Sequence, residues 1–242
     1  MDSPAVKGRR LKVLHIGKYF PPYRGGMETY LRDLMVALRP VGLDCAALVH
    51  RSEISFRSTE ESFVENNTKL PITRAAVWAR LVFAPISPSF PWLLRQLIKS
   101  EQPEILHLHM PNPSAFWALL LPSARKIPWI VHWHSDVVAS DHSAGLRLLY
   151  GLYKPFETAV LKRATTIIAT SPPYLESSQP LAPFRNKCEV IPLGTRPLAE
   201  RHEAGSDVDA SPDHTGGTDH APPLRVLAVG RLSYYKGFDF LI

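Results

Sequence analysis

The chain alternates short apolar runs with longer segments whose apolar residues recur every three or four positions. Val13, Leu14 and Ile16 lie in a short run that reads as a buried strand. Met27, Tyr30, Leu31, Leu34, Met35 and Leu38 follow at helical spacing, which predicts one apolar helix face. Between them, Pro21 and Pro22 break the backbone, and Gly25 and Gly26 stand at the helix mouth. The same alternation predicts strands over residues 44–50, 105–109, 129–134, 166–169 and 188–191. Helices are expected from Pro91, from about Ser114, over residues 145–163 with a break near Pro155, and from Ser171. Residues 51–69 are polar and read as a long loop, and residues 70–86 hold a short strand that runs into a proline-rich stretch. Strand and helix in turn imply the α/β class: a Rossmann-like, doubly wound, mainly parallel sheet with helices on both faces.

A change of composition divides the chain. Residues 198–223 are rich in Asp, Gly, Ser, His and Pro and read as a disordered acidic linker. Residues 1–197 then form one Rossmann-like domain. Residues 224–242 open with the strand pattern LRVLAV, the truncated start of a second domain. The net charge of +6 is uneven: residues 200–223 hold six acids against Arg201, leaving +11 on the rest. A basic body suits phosphate ligands or an anionic membrane surface, and it also suits a plain solvated surface. Cys45 and Cys188 each sit in a strand-like run and read as buried thiols in a reducing compartment. With no signal peptide visible and no long apolar run, the expectation is a cytoplasmic protein, with any membrane contact peripheral on the inner face of the plasma membrane.

Several stretches can carry chemistry. A glycine pair before a helix lets a ligand approach backbone that can adopt positive φ, and the helix dipole favours an anion there. A tight turn explains the pair equally well. No Walker lysine and no dinucleotide fingerprint accompany it. Two His-x-His pairs, His107 with His109 and His132 with His134, each put two imidazoles on one strand face near its carboxyl end, where open α/β sheets bind ligands. Neutral imidazoles can converge on zinc, but nothing in the sequence makes the two strands neighbours. Hydrogen-bonded structural histidines are the plainer reading of His107 and His132. His50, on another strand, is expected to lie outside any such site and to tolerate replacement.

Taken as a phrase, residues 16–30, with PP-Y-RGGME-x-Y, resemble the N-terminus of glycosyltransferase family 4, whose members have the two-Rossmann GT-B fold. PEILHLH, HWHSD, TIIATS, IPLGT and VGRLSYYKG extend the resemblance over most of the chain outside residues 200–223. It implies a retaining hexosyltransferase that uses a nucleotide sugar, UDP- or GDP-linked, without a metal or other cofactor and without a nucleic-acid partner. The acceptor would be a lipid-linked saccharide or polysaccharide of cell-surface glycan synthesis. His134 would contact the donor sugar at the reacting centre, while His109, Asp136 and Glu28 line the acceptor side. Asp136 could instead cap a turn, and Thr170 or Ser171 the next helix. Gly25 and Gly26 would border the donor. Arg231 and Lys236, in the G-R-x-x-x-x-K-G stretch, would hold its diphosphate and offset charge on the leaving group. The family's Glu-x7-Glu donor motif is absent, so the chain as given is expected to be inactive alone. A non-catalytic α/β module that binds an anion or a partner at the glycine mouth is the alternative. Apolar and basic residues mix over 91–99 and 145–163. There Trp92, Leu93, Leu97, Tyr150, Tyr153 and Phe156 accompany Arg95, Lys99, Arg147, Lys154, Lys162 and Arg163 as a possible anionic-membrane face.

Overall fold

The computed structural model describes residues 9–65, 68–81, 84–137 and 144–194. The expected linker at 198–223, the second-domain start at 224–242, Thr195, Arg231 and Lys236 lie outside them. The chain runs β1 (Leu11–Ile16), α1 (Gly26–Leu38), β2 (Leu43–His50), β3 (Thr59–Glu65), β4 (Thr68–Ala75), β5 (Ala79–Leu81), β6 (Ala84–Ile86) and α2 (Phe90–Glu101). It continues with β7 (Ile105–Met110), a 3-10 turn (Pro113–Phe116), α3 (Trp117–Leu120), α4 (Pro122–Arg125), β8 (Trp129–Trp133) and α5 (Ala144–Arg163). It closes with β9 (Thr166–Ala169), α6 (Pro172–Ser177), a second 3-10 turn (Ala182–Lys187) and β10 (Cys188–Val190).

Eight strands form one sheet in the order β10-β9-β8-β7-β1-β2-β4-β3. All neighbours are parallel except β3, which runs antiparallel to β4 at the edge. The chain leaves β1 towards β2 on one side and later returns to β7 on the other. This reversal makes the carboxyl ends of β1 and β7 the topological switch point, where such sheets open a crevice.

Alternation along the central strands divides the core. Leu14, Ile16, Leu106, Leu108, Met110, Val131 and Trp133 face one side and pack under α2, α3, α4 and α5. Val13, Cys45, Ala47 and Val49 face the other and pack under α1 through Leu31 and Met35. Helices therefore lie on both faces, as expected, but unevenly. Gly17, just beyond β1, lets α1 come close: a Cβ there would stand 2.7 Å from Leu31 Cδ2 and 3.2 Å from Val49 Cγ1.

The structure corrects several local expectations. The polar stretch before residue 70 is not all loop, because TEESFVE forms β3. Glu60 faces water at the sheet edge, Glu65 is partly buried against Arg32, and Phe63 meets Phe20 edge-on at 5.3 Å. Glu61 of this strand pairs with Arg74 of β4, whose guanidinium also donates to the carbonyls of Phe20 and Pro21. The helix expected from Ser114 is three short pieces, split where Leu121 turns extended before Pro122. Conversely, α5 runs through Pro155 without ending. Cys45 is buried, but Cys188 is only partly so. On α2 the supposed membrane face is largely spent on the core: Leu93 is buried and Leu97 packs against the same cluster, leaving Trp92 exposed. Among the described residues, no helix is long and apolar enough to cross a membrane.

Candidate functional site

Five histidines gather at the switch point. His15 of β1 stands in register with His107 of β7, and His109 of β7 with His132 of β8. Residues in register across parallel strands share a face, and so do positions i and i+2. All four rings therefore project to the α1 side, and His134, two residues past His132, joins them from the loop after β8. The rings of His107 and His109 stack at 4.6 Å, and those of His132 and His134 at 4.4 Å. Tyr30 of α1 covers the group, 4.7 Å from His132 and 5.5 Å from His134. The helical pattern places Tyr30 among core residues. In the structure it is only partly buried and roofs the histidines, a role that periodicity alone does not reveal.

A chain of hydrogen bonds threads the group. His15 Nδ1 lies 3.2 Å from His109 Nε2, and His109 Nδ1 lies 3.1 Å from His134 Nε2. Each contact holds one proton, so the tautomers of the three rings are linked. His15 Nε2 is buried without a partner. A bare lone pair there costs less than a stranded N–H, which favours protons on the Nδ1 atoms of all three rings. That polarity leaves His134 Nδ1–H as a donor at the partly exposed end. Burial pushes His15 and His134 down to about 3 and His132 to about 4, with neighbouring His132 adding to the effect on His15 and His134. His107 and His109 are likewise held well below the usual histidine range by burial. The cluster is neutral at physiological pH.

The other sequence candidates fall around this cluster. Gly25 precedes α1 with φ −174° and no side-chain cap, so its backbone is extended and needs no glycine freedom. Gly26 also lacks positive φ, and a Cβ on it would meet nothing within 4 Å. Gly26 thus leaves open space at the helix mouth, and neither glycine makes a left-handed turn. Glu28 is buried in the first turn of α1 near Tyr19, whose phenol is raised mainly by burial with a smaller contribution from Glu28. Asp136 lies two residues beyond His134, but its described contacts do not involve that ring. Its Oδ1 accepts from Trp133 Nε1 at 2.7 Å, Tyr174 OH at 2.6 Å and Ser178 Oγ at 2.8 Å, which ties the loop after β8 to α6. Ser171 caps α6 by accepting from the Tyr174 amide.

His50 is no bystander. It is fully buried, with Nδ1 2.7 Å from the Lys18 carbonyl and Nε2 2.9 Å from Ser114 Oγ, and its ring stacks on Phe90 at 4.7 Å. It joins the loop after β1 to the turn after β7, both of which border the crevice. Two depressions of about 440 Å3 lie at the opposite, amino-terminal ends of the strands, where both include Arg39 and Lys69. Neither touches a histidine.

Comparison with known proteins bears on the family and the fold. Residues 25–194 match the glycosyl transferase 4-like domain. The chain is 29% identical over 238 residues to the O-antigen chain mannosyltransferase C of Escherichia coli, covering 96% of this chain and 57% of that protein. It is 28% identical over 233 residues to a D-rhamnosyltransferase of Pseudomonas aeruginosa, covering 96% and 56% respectively. The chain thus spans a little over half the length of these relatives. Among solved structures, the sucrose-phosphate synthase of Thermosynechococcus elongatus superposes with a TM-score of 0.56 at 18% identity, over 77% of this chain and 49% of that one. The UDP-forming trehalose-phosphate synthase of Burkholderia xenovorans does so with 0.55 at 12%, over 81% and 53%. These structures share the fold, the Rossmann-like half of a GT-B enzyme. With most of its described length inside the matched domain, the chain belongs to the glycosyl transferase 4-like family.

Proposed function

We propose that this chain supplies the acceptor-side half of a retaining glycosyltransferase that moves a hexose from a UDP- or GDP-sugar to a lipid-linked or polysaccharide acceptor in cell-surface glycan synthesis. The observation that carries this reading is the convergence of His109, His134 and the open mouth at Gly26 on the switch-point crevice. The named activities of the two relatives, an O-antigen mannosyltransferase and a rhamnosyltransferase, support the substrate class.

In this reading, the neutral His134 presents an N–H to charge that develops at the reacting centre, where a fixed donor stabilises the transition state more than the ground state. His109 holds that ring in its tautomer, and His15 holds His109. Tyr30 and Glu28 shape the acceptor wall. Asp136 acts as a positioning residue, fixing the loop that carries His134. Arg231 and Lys236 are assigned from sequence to the donor diphosphate, and the transfer itself needs no metal. In this reading turnover draws on a complete donor-binding domain as well as this half. Contact with anionic lipid falls to α5, where Leu148, Leu152 and Phe156 are exposed on one stripe beside Arg147 and Lys154.

The test joins this chain to a complete donor-binding domain of the same family and measures labelled-sugar transfer by the Gly26→Val variant. The space beyond Gly26 accepts the side chain, so melting stays near that of the parent while transfer falls by an order of magnitude or more. Undiminished transfer would remove the glycine mouth from the reaction.

A further inference from the structure

The geometry points to a second capacity of the histidine cluster: His109, His132 and His134 form a three-imidazole site for a late first-row divalent metal ion, with Zn2+ the natural occupant. That ion is no part of the transfer reaction proposed above.

One ring nitrogen from each of the three residues lies within 4.8 Å of the others. His109 Nδ1 and His134 Nε2 are already 3.1 Å apart. Two nitrogens on a tetrahedral zinc, each about 2.0–2.1 Å from it, stand roughly 3.3–3.4 Å from one another. That pair has to open by a few tenths of an ångström, and because the His132 ring stacks on that of His134 at 4.4 Å and 15°, His132 must also turn to aim an in-plane nitrogen lone pair at the same point. The third ligand is supplied by His132, which is fully buried with neither ring nitrogen paired. Buried polar atoms normally find a partner, and a metal would give this one what the protein does not. An inner trio, His15, His107 and His109, meets the same distance condition but is wholly buried. The outer trio has His134 on a partly exposed loop, so a hydrated ion can reach it and keep a fourth position for water or an anion from the crevice.

Ligation requires bare nitrogens on both His109 and His134, so the proton now shared between them must leave that line. With the protons on the Nδ1 atoms it sits on His109 Nδ1 and moves to His109 Nε2, while the His15 proton passes from Nδ1 to Nε2, so that His15 Nδ1 accepts from His109 Nε2 at 3.2 Å. Each ring stays neutral, no electron is transferred, and no proton is released. His15 then orients a ligand through its second nitrogen, the usual outer-shell arrangement of metal-bound histidine. An all-imidazole donor set selects copper, zinc, nickel and cobalt over magnesium, which prefers oxygen.

The test uses the chelator-stripped chain at pH 7.5, titrated with Co2+ by visible absorption and with Zn2+ and Mg2+ by calorimetry. The expected result is one tetrahedral Co2+ per chain, displaced by Zn2+, with no comparable Mg2+ binding. His134→Asn, at the least buried ligand, weakens Zn2+ by more than about 100-fold, since even outer-shell partners are worth about 10–100-fold. His15→Asn falls within that outer-shell range. The proposal is overturned if the unaltered chain shows only the weak octahedral Co2+ spectrum. It is also overturned if His134→Asn binds Zn2+ as tightly as the parent, which would put the ion on other histidines. The Co2+ spectrum of the unaltered chain decides the matter even if a variant does not fold. Sugar transfer enters none of these readouts, so this site and the transferase reading fail independently.

Discussion

Replacing His50 by alanine is expected to cost about 4 kcal/mol. The imidazole bridges Lys18 O and Ser114 Oγ with full burial, and each hydrogen bond contributes about 1 kcal/mol. Its stacking on Phe90 adds about 1 kcal/mol. The Ser114 hydroxyl, left buried without its partner, costs about 1 kcal/mol or more. The Lys18 carbonyl keeps the His50 amide and adds little. At about 2–4 °C per kcal/mol for a chain of this size, melting should fall by roughly 10 °C. The pH dependence supplies a second check. Burial holds His50 down at about 4, so between that value and about 6.5 the unfolded chain binds a proton that the native chain does not. Stability is then complete above about 6.5 and declines as the pH falls. Between pH 7.5 and 6.0 this single group lowers parent stability by about 0.8 kcal/mol. The alanine variant lacks that loss, so the gap between them should narrow by the same amount. Urea melts at the two pH values measure both effects. A variant that melts within about 2 °C of the parent, or a gap that widens on acidification, would refute the bridging role.

Two further outcomes follow from packing and surface. Gly17→Ala would place a Cβ 2.7 Å from Leu31 Cδ2, so thermal melts should show a loss of about 1–3 kcal/mol as α1 is pushed off the sheet, and an unchanged melt would contradict the close approach. Co-sedimentation with vesicles should rise with anionic lipid and fall with salt, and Leu148→Ser with Leu152→Ser should weaken it while Trp92→Ser on α2 does little. Binding indifferent to lipid charge, or lost only through Trp92, would contradict the assignment to α5.

The parallel order was legible because β1, β2, β7, β8 and β9 are short apolar runs spaced by helical patterns. The edge strand β3 was not, since TEESFVE is acidic where one face meets water and gains its pairing only from β4. Pro155 misleads for a related reason: packing of Tyr153, Val160 and Leu161 holds α5 through it. The two His-x-His pairs were visible, and so was their shared face within each strand. Their convergence was not, because it depends on β7 and β8 being neighbours with His109 opposite His132. His15 carried no local signal at all. It joins the group through the β1–β7 register. His50 misled in the opposite sense: its place outside the family phrase concealed a buried bridge. Asp136 shows a third case, since its partners Tyr174 and Ser178 lie 38 and 42 residues away.

The claim that the switch-point crevice performs glycosyl transfer stands or falls on His134. In an enzyme completed with its donor-binding domain, the rate of labelled-sugar transfer by His134→Ala is compared with the parent well below either melting temperature. Removing a donor aimed at developing charge lowers the rate by a factor of about 10²–10³, with a melting loss of only a few degrees from the broken contact to His109. Transfer at the parent rate by a folded His134→Ala enzyme would contradict the account.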